Sequence, residues 1–173
     1  TWRLSGTKRE NVPACSTRST SMTALRISFD LPEHGWLGIS FAHGDHAYED
    51  SFSHIYPSLT DLCHAACDVA CGYPARRVAF LLEPAELELS LPSVSAPSLT
   101  VARFHGRLRA PADPGRRVFD SVIAPHDAVL ACWRALRRLQ TSLTTEDFTS
   151  RWREPFPEAP MRSLALAVAT LKK

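Results

Sequence analysis

Glycine is scarce, with seven in 173 residues, and none lies in a G-x-x-x-x-G-K-[ST] or G-x-G-x-x-G loop. Phosphate-cradling loops of those two kinds are excluded. No G-x-S-x-G turn presents a nucleophilic serine, and no H-E-x-x-H offers a zinc pair. Long hydrophobic runs are missing too. The richest stretch, Leu164 to Leu171, falls far short of the ~18 apolar residues of a membrane helix. The first residues lack the apolar segment of a secretory signal, so the expected location is cytoplasmic. Cysteines number five, and Cys63, Cys67 and Cys71 share one predicted helix whose rigidity disfavours bridges among them. A disulfide framework is not expected. An excess of one charge is absent as well: 20 basic residues face 18 acidic ones.

What is present is an ordinary globular composition, 45% hydrophobic and 22% charged, in a chain long enough to bury a core. The charge is unevenly placed. Residues 1–21 hold Arg3, Lys8, Arg9 and Arg18 against Glu10 alone, and the remainder is close to neutral. That first stretch is rich in Ser, Thr and Arg and has no apolar period. We read it as a disordered leader, with Met22 as the expected natural start and 22–173 as a single domain.

Leu25, Ile27, Phe29 and Leu31 alternate with polar residues, a strand of period two. Trp36–Ala42 and His46–Ser53 flank the turn His43-Gly44-Asp45-His46 as a hairpin. A helix follows, with Ser58 as its expected N-cap and Leu59, Leu62, Cys63, Ala66, Val69 and Ala70 on one face. Gly72 and Pro74 stop it. Strands are expected at Arg77–Leu82, Glu86–Leu91, Leu99–Arg107 and Val118–Ile123. The last third is helical: a long helix through Val129, Trp133 and Leu143, a short one capped by Thr145 and running to Trp152, and a final one over Met161–Leu171. The order β-β-β-α-β-β-β-β-α-α-α implies an α+β fold with a mostly antiparallel sheet and helices packed on one face. Whether the last four strands continue the sheet of the first three stays open.

Three groups carry possible chemistry. Cys63, Cys67 and Cys71, four apart, form a slanting helical stripe beside His64 that would suit a soft metal, or plain packing. His43 and His46 face each other across the hairpin, with His34 and His54 expected near by, but two imidazoles alone do not make a metal site. Arg134, Arg137 and Arg138, with Arg151 and Arg153, would touch phosphates or simply form a solvated helix face. The near-neutral body disfavours a dedicated nucleic-acid or membrane binder. No catalytic, cofactor-binding or metal residue is assigned.

Four segments carry a resemblance: His34-Gly-Trp-Leu-Gly-Ile-Ser-Phe41, Leu82-Glu-Pro-Ala-Glu86, Val101-Ala-Arg-Phe104 and Arg151-Trp-Arg-Glu-Pro-Phe-Pro157. Over residues 22–173 the chain resembles a widespread type of small bacterial α+β protein, mostly of uncharacterised activity. Ala85 stands where that type is expected to have Gly. Compact bacterial proteins of this kind often act as immunity proteins that neutralise a toxin partner. The resemblance therefore implies a non-enzymatic protein-binding module, with no catalytic residues to carry over. The alternatives are a small metal-binding enzyme or sensor using Cys63/Cys67/Cys71 or His43/His46, and a nucleic-acid-binding regulator using the arginine face.

Overall fold

The computed structural model describes residues 24–74, 77–106 and 113–171. The expected leader, residues 1–21, lies outside them. The element order is β1 (Arg26–Phe29), β2 (Trp36–His43), β3 (His46–Ser53), α1 (Ser58–Ala70), β4 (Arg77–Leu81), β5 (Glu86–Ser90), β6 (Ser98–Phe104), β7 (Arg116–Val122), α2 (Pro125–Ser142), α3 (Thr145–Trp152) and α4 (Glu158–Leu171). The α+β class and the order of elements are those the periodicity implies.

The strands form two antiparallel sheets, β1-β2-β3 and β4-β5-β6-β7, which settles the question of continuity. In the first, Ile27, Leu37, Ile39, Phe41 and Phe52 turn inward, while Ser28, Ser40, Glu49 and Ser51 alternate outward. In the second, cross-strand partners Val78↔Leu89↔Val101↔Phe119 share the inner face, and a bulge after Val101 shifts the register of β7. Because side chains alternate with period two, each sheet buries one face and wets the other. The two inner faces meet. Phe41 lies 5.8 Å from Phe119, and Phe52 lies 4.8 Å from Phe80, centroid to centroid. β3 touches both outer strands of the second sheet, β4 and β7.

The helices complete the core from one side. α1 packs on β4, α2 on β1, and α1, α2 and α4 pack on one another. Leu62, Ala66, Leu136, Leu139 and Leu164 from these helices join the strand residues in one buried cluster.

Local chemistry moves several boundaries. Ser58 is not the N-cap of α1: Pro57 holds that position, and the Ser58 hydroxyl instead donates to the Ala79 carbonyl (2.7 Å). A buried hydroxyl thus satisfies an acceptor on β4, an outer strand of the second sheet. Thr144, not Thr145, caps α3, accepting from the Asp147 backbone N–H (3.1 Å). α4 begins at Glu158, three residues before Met161. Leu31 continues the alternation of β1 in sequence, yet it lies beyond the strand and half of it is exposed. The expected end of β6 at Arg107 falls outside the described residues; the strand itself stops at Phe104.

Candidate functional site

The antiparallel order places the end of β1, the start of β2 and the end of β3 at the same end of the first sheet. Three exposed large apolar residues belong to that end: Leu31 (52%), Trp36 (38%) and Ile55 (53%). Trp36 pairs with Ser53, and Ile55 follows two residues on. A lone exposed apolar residue is ordinary, but three at one end of a three-stranded sheet, one of them Trp, are the kind of surface a partner covers.

The backbone beneath them is tightly held. Glu33 and Trp36 exchange both backbone hydrogen bonds (2.9 Å each) around His34 and Gly35, whose φ values are +51° and +81°. This is a primed two-residue turn, matched to the twist of the strands. Gly35 then donates its N–H to the Arg151 carbonyl at the end of α3 (2.7 Å) and accepts from the His54 N–H (2.9 Å). A Cβ on Gly35 would stand 2.7 Å from His54 Nδ1 and 3.1 Å from Arg153 Cδ. The His54 ring packs edge-on to Trp152 (6.2 Å). Turn, α3 and the segment after β3 are thereby locked together, with the Arg153 side chain against Gly35. Gly35→Ala combines a strained positive φ with a clash, so it is expected to lower unfolding stability by about 1–3 kcal/mol in urea titration. An unchanged midpoint would show that the turn is not held as described.

The sequence-predicted groups are placed differently from what their spacing suggested. His43 and His46 are cross-strand partners, but His34 and His54 sit at the opposite end of the sheet, because β2 and β3 separate them from the hairpin turn. His43 instead hydrogen-bonds Ser121 on β7, a tie between the two sheets. This Ser–His contact uses Nδ1, and no described residue hydrogen-bonds Nε2 to orient the ring as a base.

The cysteine stripe slants from core to solvent: Cys63 is buried, Cys67 half-buried and Cys71 exposed. Burial pushes the Cys63 thiol up to about 12, and burial likewise pushes Cys132, its neighbour from α2, up to about 12. Buried thiols held protonated are packing groups, not ready metal ligands. Among the described residues no three His, Cys, Asp or Glu side chains converge as a metal site. Cys132 was missed as a neighbour of the stripe; its place among the apolar residues of α2 was the available signal. The folded thiols hold protons that the unfolded chain releases above its ordinary value of 9.0. Their contribution to stability is therefore complete below about pH 9 and declines as pH rises toward 12. A urea midpoint that falls above about pH 9, with Cys71 labelled by a thiol reagent in the native state and Cys63 only after unfolding, is the expected pair of results. Native-state labelling of Cys63 would contradict it.

A polar cluster lies where the sheets meet. Tyr48 donates to Asp50 (2.7 Å), and Asp50 faces the Arg103 guanidinium on β6 (3.7 Å). Burial, then the bond to Asp50, raises the Tyr48 pKa, so the phenol stays neutral and acts as a fixed donor. The arrangement clamps β3 to β6. Of the arginines, Arg134, Arg137 and Arg138 are exposed on α2, while Arg151 and Arg153 belong to the opposite end of the first sheet with Gly35.

No helix among the described residues is long and apolar enough to cross a membrane. The chain matches no protein-family model, no curated protein and no solved structure, so its surface is read from its own chemistry.

Proposed function

We propose that the protein is a protein-binding module whose partner covers the end of the first sheet at Leu31, Trp36 and Ile55. The observation that carries this reading is the exposure of those three side chains on a backbone held by the Gly35 turn, α3 and the His54 segment. An exposed Trp on a rigid base, next to the turn against which Arg153 packs, suits an interface hot spot, and the fixed backbone lowers the ordering cost of binding.

The finer reading is an immunity-type inhibitor that neutralises a toxin partner, and it rests on the resemblance over residues 22–173. The test uses the tagged full chain and its Ile55→Asp variant on lysate of the source organism. Wild type should retain one stoichiometric partner that the variant loses. Growth arrest by that partner alone, relieved by co-expression of this chain, is the expected immunity result. Equal capture by both chains, or none, would overturn the binding surface.

A further inference from the structure

A second surface, on the helical side, has its own chemistry. α2 and α4 run antiparallel, and an open groove of about 320 Å³ lies between them, lined by Trp133, Arg137 and Gln140 on one wall and Met161, Arg162 and Ala165 on the other. One end of the groove is closed by a relay: Arg137 donates to Gln140 (2.7 Å), and Gln140 donates to Glu158 (2.6 Å). Leu166, one turn beyond Arg162 on α4, is 72% exposed. Apolar carbon of Trp133, Met161 and Ala165 thus makes the floor, and Leu166 lies outside it beyond Arg162.

Arg137 and Arg162 line it, and more cations lie on the neighbouring face. Arg134 and Arg138 occupy the next stripe of α2, and Arg138 shares a further surface depression with Arg26 of β1. Arg26, Arg134, Arg137, Arg138 and Arg162 are all exposed, and none makes an ion pair among the described residues. The Glu158 carboxylate at the end of the groove already accepts from Gln140. Guanidiniums with no carboxylate partner beside a narrow apolar trough complement an anionic ligand that also carries an apolar group. Residues 1–21 of this chain are themselves basic and so have the wrong sign to fill it. A nucleic-acid backbone would meet the arginines but leave the apolar floor uncovered.

We infer that the α2–α4 groove docks an acidic segment of a protein partner, with one apolar side chain seated between Trp133 and Ala165 and carboxylates on Arg137 and Arg162. This surface shares no residue with the Trp36 end, so either can fail alone. The test is a peptide-display selection on the immobilised full chain, followed by fluorescence anisotropy with the enriched peptides. Enriched peptides should carry Asp or Glu around an apolar anchor and bind less tightly as salt rises. Binding should fall at least about tenfold for Arg137→Glu/Arg162→Glu and for Ala165→Arg, and stay unchanged for Ile55→Asp. The substitutions are on the surface, and unchanged circular dichroism confirms the fold. No enrichment, peptides without an acidic bias, or binding indifferent to the groove variants would overturn the inference. A labelled single-stranded oligonucleotide bound by wild type and lost in Arg137→Glu/Arg162→Glu would overturn it in favour of a nucleic-acid surface.

Discussion

Phe52→Ala is expected to cost about 3–5 kcal/mol of unfolding free energy, the range for removing a fully buried aromatic ring. The ring has no solvent exposure and touches three layers at once: Phe29 within its own sheet (6.4 Å), Phe80 of the second sheet (4.8 Å) and Trp152 of α3 (5.5 Å). Each contact is edge-to-face, the favourable arrangement of two ring quadrupoles. The neighbours come from different elements and cannot all collapse into the space left, so a cavity term adds to the lost transfer energy. Because total stability of a domain is only about 5–15 kcal/mol, this one change brings the protein close to unfolding. Urea titration at neutral pH checks it, with Phe52→Leu as the companion that keeps most of the volume. A loss of less than about 1 kcal/mol for Phe52→Ala would mean that the two sheets and α3 do not meet on this ring.

Trp36→Ala should weaken partner binding by at least roughly 30-fold, or about 2 kcal/mol, while leaving the fold intact. The two effects separate because Trp36 lies on the solvent side of β2, where its backbone pairing with Ser53 persists without the indole. Titration calorimetry with the captured partner gives the affinity, and the urea midpoint gives stability. Ile55→Asp should act in the same direction, since burying an unpaired carboxylate in an apolar contact is costly. Wild-type affinity in the Trp36 variant would move the interface elsewhere.

Much of the fold was legible because it depends on local periodicity. Leu37, Ile39 and Phe41 alternate inward on β2 as their spacing requires, and Gly44 sits in the expected two-residue hairpin turn at positive φ. Leu59, Leu62, Cys63, Ala66 and Val69 line the buried side of α1 at helical spacing. What stayed illegible is non-local. Alternation says which face of a strand is buried, not which strand lies beside it, so the split into two sheets could not be read. Ser58 looked like a cap because its type and position fit one; only the Ala79 carbonyl, 21 residues away, explains its real partner. His34 and His54 looked like neighbours of the hairpin histidines because sequence distance hides which end of a strand a residue occupies. The candidate binding end was hidden for a similar reason. Leu31 extended an alternating pattern and so passed for a buried position, and Trp36 stood only as the start of a strand, until the topology brought both to one exposed end.

The most direct test of the binding surface is amide hydrogen exchange on the full chain, alone and with its captured partner. The account predicts that added protection concentrates at residues 31–36 and 53–55, at one end of the first sheet, with the far hairpin turn around Gly44 unchanged. Protection at that hairpin turn, with residues 31–36 and 53–55 exchanging as in the free protein, would contradict it.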